Sequence, residues 1–206
     1  MFLGVARIVL ALVTAAAVGV QFAHGLQSPT FRPTNFFSFF TIQSNVFCAI
    51  ILLIAGSYAL RKRPSDELAL LRGASTLYML ITGIVYAALL SGSEAALQTT
   101  IPWVNLVVHY VIPLWMLFDW LIDTPALWLN YSAILARWLV YPLGYVFYSL
   151  ARGAVVGWYP YPFLNARLHG YPFVCAMIVA IAVFSLALGS ALVWIAGRPR
   201  IRRGHS

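Results

Sequence analysis

Six long apolar stretches, separated by short connections that hold most of the charge, set the pattern of this chain. They run roughly over Val5–Ala23, Phe37–Leu60, Leu70–Leu90, Pro102–Ile122, Leu135–Val156 and Pro172–Ala196. Each is close to or above the ~20 apolar residues that carry a helix across a bilayer. The pattern therefore predicts an all-α integral membrane protein: one six-transmembrane-helix bundle over residues 1–206, with no soluble appendage. The start of the fifth helix is the least sharply marked, because Trp128–Tyr131 is apolar as well. The first stretch imitates a signal peptide, with Arg7, an apolar run and Ala15-Ala16-Ala17. Its apolar run is nearer a span than a signal core of about 7–15 residues, so it reads as a retained helix.

Composition agrees with the pattern. Hydrophobic residues make up 62% of the chain and charged ones 9%, with a mean hydropathy of +0.87. A soluble domain is roughly 45–50% apolar and about 25% charged. An ordinary soluble enzyme, a disordered chain and a disulfide scaffold are excluded. The net charge of +8 comes from basic residues that flank apolar runs, where they report orientation rather than nucleic-acid binding. Six spans put Arg7, Arg61-Lys62-Arg63, Arg72, Arg137, Arg198, Arg200, Arg202 and Arg203 on one side, and Arg32, Arg152 and Arg167 on the other. Ten against three predicts that both termini are cytoplasmic. Cys48 and Cys175 lie inside apolar runs and read as packing residues. Four dispersed histidines give no metal or haem pattern, and no cofactor is expected.

The polar residues inside the spans are unevenly distributed. Thr41 lies four residues into the second span, ~6 Å at 1.5 Å per residue. His109 lies seven residues into the fourth, which enters from the same outer side, ~10 Å by the same rise. Ser38, Thr41, Asn45 and Cys48 share one helix face, and Asn105 stands one turn before His109. The first span adds Gln21 and His24, and the third adds Thr82 and Tyr86. The fifth carries a stripe of Arg137, Tyr141, Tyr145, Tyr148 and Arg152. The inner halves of most spans look nearly featureless. Uncompensated polar groups cost several kcal/mol in hydrocarbon, so these side chains should face one another. The expected arrangement is a polar chamber in the outer half of the bundle above an apolar plug.

An ionisable residue inside a membrane is a functional candidate by default, and His109 is the histidine deepest in a span. A neutral imidazole beside Thr41 would make that hydroxyl a nucleophile. Asn105 would fix the ring. Asn45, Tyr148 and Arg152 are candidates for stabilising an oxyanion. No acidic third member is evident: Asp119 and Asp123 lie ~15 Å further along the helix, and Glu94 falls in an outer loop. The plain alternative is that Thr, Ser and Asn are interhelical glue and that Tyr and Trp form an interfacial belt. The segment Trp158-Tyr159-Pro160-Tyr161-Pro162-Phe163 stops the fifth helix and reads as an interfacial anchor, or as a lid over the chamber.

Three blocks carry a resemblance: Phe39-Phe40-Thr41-Ile42-Gln43-Ser44-Asn45; Trp103-Val104-Asn105 with His109 and Pro113; and Gly144-Tyr145 with Gly157-Trp158-Tyr159-Pro160-Tyr161-Pro162-Phe163-Leu164. Together they resemble the androgen-induced-protein family of multispanning membrane proteins, which includes bacterial six-helix members. The resemblance runs in family order from about Asn35 to Asn165. It implies hydrolysis of fatty acid esters of hydroxy fatty acids, with Thr41 and His109 matching the family's intramembrane threonine and histidine. It also implies a bacterial cell-membrane location and a membrane lipid or lipid ester as partner. The stretch between the two residues is shorter here than in animal members, and Pro113 follows the histidine one residue sooner. The alternative function is a lipid-binding, sensing or transport protein that holds a ligand in the same chamber without cleaving it.

Overall fold

The computed structural model describes residues 1–63, 65–94, 100–125, 127 and 130–197. Among them there are helices and no strands, and six helices are long and apolar enough to cross a membrane. They are α1 (Phe2–Gly25), α2 (Phe40–Leu60), α3 (Asp66–Leu90), α4 (Pro102–Ile122), α5 (Tyr131–Val156) and α6 (Ala166–Ala196). A one-turn helix, Pro33–Phe36, precedes α2. The tail arginines Arg198, Arg200, Arg202 and Arg203 lie outside the described residues, as does Trp128.

α3 and α5 begin where polar caps put them, which hydropathy alone misses. The third was expected from residue 70 but starts at Asp66, because Ser65 Oγ accepts the Leu68 N–H and Asp66 and Glu67 fill a polar first turn. The fifth starts at Tyr131 rather than 135, capped by Asn130 Oδ1 on the Ala133 N–H at 2.9 Å. The second starts at Phe40 rather than 37, since Phe39 is extended and separates it from the preceding turn. In the sixth, Gly170 breaks the helix with φ 76° and ψ 159°, so the continuous part begins near Pro172 and the turn over 166–169 is a separate piece.

α3 is the hub. It packs against α2, α4, α5 and α6, while α1 lies along α2 and also touches α4. α5 and α6 pack on one another and are mostly exposed, presenting Val140, Phe147, Val179 and Val183 outward. We call the end bearing the α1–α2, α3–α4 and α5–α6 connections the upper end.

The buried faces form three layers. On α4 the inward stripe is His109, Ile112, Met116 and Asp119, at i, i+3, i+7 and i+10, all buried. Ile112 and Met116 join Ala11, Cys48, Leu52 and Met79 in an apolar middle layer, none more than 3% exposed. Below it, Arg7 and Arg72 grip Asp119 and Asp123. Arg7 Nε and Arg72 Nη2 reach the two oxygens of Asp119 at 2.8 Å each, and Arg7 Nη2 lies 2.6 Å from Asp123 Oδ2. This corrects the picture of a featureless lower half. Two residues counted as orientation signals are buried ion-pair partners that bind α1, α3 and α4 together.

Candidate functional site

The upper layer is organised by the first turn of α2. A helix start leaves its first N–H groups without intrahelical partners, and Phe39 offers no side-chain cap. Two tyrosine hydroxyls take that role from other elements. Phe40 N–H donates to Tyr145 Oη at 3.2 Å, and Thr41 N–H donates to Tyr161 Oη at 3.3 Å. Tyr145 spends its own proton on the Ser38 carbonyl at 3.0 Å. Thr41 thus sits at the positive end of a helix, where developing negative charge is favoured.

His109 reaches Thr41 from α4. Thr41 Oγ1 and His109 Nε2 are 3.4 Å apart, and the two side chains are 7% and 2% exposed. Asn45, one turn beyond Thr41, clamps the helices at this level by donating to the carbonyls of Thr41 (2.9 Å) and Val108 (3.2 Å). Ser44 pairs with Thr82 across to α3 at 2.9 Å.

Both helices that surround the imidazole widen into a π turn here, over Tyr86–Leu90 and Val107–Val111. Pro113 has no N–H for the His109 carbonyl four residues back, and its ring would crowd that carbonyl in a regular turn. The widened turn relieves this, as such turns often do at sites of function. Gly83 lets α3 close on it: a Cβ there would lie 2.9 Å from the His109 carbonyl oxygen and 3.0 Å from Pro113 Cβ. The Tyr86 ring then stacks on His109, with centroids 3.7 Å apart and planes 14° from parallel.

A chain of hydrogen bonds continues upward from the imidazole. His109 Nδ1 is 2.6 Å from Asn105 Oδ1, Asn105 Nδ2 donates to Tyr86 Oη at 2.6 Å, and Tyr86 donates to Glu94 Oε1 at 2.7 Å. Glu94 is the acidic member that sequence reasoning set aside as an outer-loop residue. The turn Ser91-Gly92-Ser93, with Gly92 at φ 87°, reverses the chain, and Gly92 N–H also donates to Glu94 Oε1 at 3.0 Å. The Tyr86 hydrogen bond, first of all, holds the Glu94 carboxyl below the ordinary carboxylate range.

The other expected site residues lie around this core. Gly157, at φ 74°, ends α5 in a left-handed turn. The following loop folds back, burying Tyr161 to 6% exposure. Its hydroxyl stands 3.5 Å from Thr41 Oγ1, and burial raises its pKa, so it is a neutral donor. Trp158 packs edge-on against Phe39, which in turn packs on Tyr161. Ser38 bonds Tyr148 Oη at 2.8 Å. Arg152 donates to Asn35 Oδ1 at 2.7 Å and lies over the Trp158 ring at 4.8 Å. Asn45, Tyr148 and Arg152, expected as oxyanion donors, instead brace the walls, because their hydrogen bonds go to carbonyls, Ser38 and Asn35. The hydroxyl beside Thr41 Oγ1 is that of Tyr161.

Beside Thr41 opens an almost wholly apolar cleft with a cavity volume of about 70 Å³. Phe40, Thr82, Tyr145 and Tyr161 lie on its inner wall, and Pro142 and Val146 of α5 face Ile178 and Ile181 of α6 across it. Among the described residues no cluster of three or more His, Cys, Asp or Glu could hold a metal ion, and Cys48 and Cys175 are both free.

Comparison of the chain with protein-family models, curated proteins and solved structures found no match.

Proposed function

We propose that this chain is a membrane-embedded hydrolase of lipid esters, with Thr41 as nucleophile and His109 as general base. The observation that carries the reading is the 3.4 Å approach of Thr41 Oγ1 to His109 Nε2 beside an apolar cleft. A cleft alone would suit a lipid-binding, sensing or transport protein equally. A hydroxyl and an imidazole at the head of a helix, with a second hydroxyl alongside, favour acyl transfer. The resemblance in the blocks around Thr41, Asn105–His109 and Gly157–Leu164 points to fatty acid esters of hydroxy fatty acids as the substrate class. The basic cluster Arg61-Lys62-Arg63 at the lower end supports cytoplasmic termini, with the dyad then facing the outer leaflet, and the resemblance adds a bacterial cell membrane.

In this mechanism the ester enters sideways between α5 and α6, with one chain in the cleft and its carbonyl carbon over Thr41. Thr41 Oγ1 attacks that carbon as its proton passes to His109 Nε2. The carbonyl oxygen becomes an oxyanion. Tyr161, whose hydroxyl stands 3.5 Å from Thr41 Oγ1, meets it with its O–H. Collapse breaks the bond to the alcohol oxygen, which leaves with the proton from His109. Water then attacks the acyl-threonine, giving its proton to His109. The second collapse returns that proton to Thr41 and releases the acid.

The test is hydrolysis of a fluorogenic lipid ester, and covalent labelling by a fluorophosphonate, with the full chain in nanodiscs. Wild type should turn over and label. Thr41→Ala and His109→Ala should lose both by roughly 10²–10⁴-fold while keeping the wild-type melting temperature. Full hydrolysis by Thr41→Ala would overturn the dyad. Saturable lipid binding without turnover or labelling in wild type would replace it with the lipid-binding reading.

A further inference from the structure

The polarity of every hydrogen bond above His109 is dictated by one carboxylate. An ionised carboxylate only accepts, so Glu94 Oε1 takes the Tyr86 O–H at 2.7 Å, beside the Gly92 N–H. With its proton committed, Tyr86 Oη is left as an acceptor and receives Asn105 Nδ2 at 2.6 Å. An asparagine whose amide nitrogen faces Tyr86 must turn its carbonyl oxygen the other way, and that oxygen lies 2.6 Å from His109 Nδ1. A carbonyl cannot donate, so Nδ1 carries the imidazole proton. Nε2 keeps its lone pair, and it is Nε2 that faces Thr41 Oγ1.

We infer that Glu94 and Tyr86 are positioning residues that hold His109 in its Nδ1–H tautomer, the neutral form whose Nε2 can accept the Thr41 proton. Neither touches Thr41 or the cleft where substrate would lie near its hydroxyl; both act through Asn105. Tyr86 also acts directly, since its ring stacks on the imidazole and fixes the ring plane. The arrangement makes the α3–α4 connection part of the site: the Ser91-Gly92-Ser93 turn delivers the carboxylate that polarises the chain four hydrogen bonds away from the nucleophile. Asn105 takes the place that a buried aspartate holds in a serine-type triad, and the negative charge is moved out to the bundle's end. A full charge next to the imidazole in a low-dielectric interior would be costly, whereas a neutral relay transmits the orientation without it.

The catalytic consequence rests on the hydrolase reading, but the tautomer does not, so the two fail separately. The full chain, labelled with ¹⁵N-histidine and reconstituted in nanodiscs, reports the protonation of each ring nitrogen, with His109 assigned by its loss in His109→Gln. Wild type should give an Nδ1–H ring and a bare Nε2. Free histidine side chains favour the opposite form, so this spectrum is decisive without any variant. Tyr86→Phe, which keeps the ring stack, and Glu94→Ala should each give a mixture of the two tautomers, while His24 and His169 stay unchanged. Glu94→Gln, whose amide carbonyl still accepts from Tyr86, should restore most of the wild-type pattern. In hydrolysis, Tyr86→Phe and Glu94→Ala should lower kcat roughly ten- to hundredfold with KM little moved, and Glu94→Gln should recover much of that loss. An Nε2–H ring in wild type, or Tyr86→Phe and Glu94→Ala spectra that superimpose on wild type, would overturn the inference. Should Thr41→Ala hydrolyse normally, the hydrolase reading falls and the tautomer assignment stands.

Discussion

The molecule buries two polar layers, and they are built on opposite plans. At the lower end two arginines meet two aspartates, and Asp119 has both oxygens occupied at 2.8 Å. At the upper end a string of uncharged groups runs from Thr41 to Tyr86 and meets a charge only where it leaves the bundle, at Glu94. The lower network balances its own charge and closes on itself. The upper one stops at a hydroxyl beside an open cleft, with a second hydroxyl, that of Tyr161, whose proton no carbonyl claims. A closed set of ion pairs holds helices together where apolar packing against lipid gives little drive to associate. An open-ended set of donors and acceptors is what acyl transfer requires.

Several measurements would break or sharpen this contrast. The largest effect should come from Asp119→Ala, which leaves Arg7 and Arg72 buried without their shared partner. Breaking a buried pair on one side costs about 3–5 kcal/mol, so the melting temperature in detergent should collapse. Asp123, with a side chain 44% exposed, should matter less when replaced. A melting curve for Asp119→Ala that matches wild type would erase the structural role of the lower layer. Next comes Tyr161→Phe. In the proposed hydrolase, removing one oxyanion donor costs about 10²–10³-fold in kcat, and here the loss should come with a modest fall in melting temperature, because the Thr41 N–H also loses its cap. Filling the cleft with Val146→Trp or Ile178→Trp should raise KM for long-chain esters roughly tenfold and leave short-chain turnover near wild type; steady-state kinetics on a chain-length series reads this directly.

The smallest effect concerns pH. The Tyr86 hydrogen bond depresses the Glu94 carboxyl in the folded chain. A depressed carboxylate stabilises the fold at pH values above its unfolded pKa, and that contribution disappears as pH falls through the lower folded value. Melting curves of wild type against Glu94→Gln should therefore differ slightly at neutral pH and converge in acid. Curves that stay parallel down to low pH would detach Glu94 from the relay.

The contrast also marks what could be read from residues alone. Six apolar runs made the helices legible, and counting 1.5 Å per residue from each upper start brought Thr41 and His109 to similar depth before any coordinates. Asn105 followed from its place one turn before the histidine. The lower network was hidden because an arginine near a span end looks the same in sequence whether it meets water or an aspartate 112 residues away. Glu94 was set aside for a related reason, and Tyr161, a candidate in the sequence, was not placed beside Thr41. Helical periodicity predicts which side chains share a face, but it carries no information about a loop that doubles back. Ser91-Gly92-Ser93 signalled a turn without its direction, and the prolines around Tyr161 explained where α5 stops, not that the ring returns beneath Phe39. The missed starts of α3 and α5 share one cause: Ser65 and Asn130 begin these helices through polar caps, which hydropathy passes over.

Between the two layers lie Ala11, Cys48, Leu52, Met79, Ile112 and Met116, a mainly apolar cluster with the buried Ser75 beside Cys48. A mainly apolar layer of this kind sets the upper polar network apart from the ion pairs below it. For the proposed hydrolase, such a layer would make the chemistry at Thr41 one-sided, with substrate and products passing through the same half of the bilayer.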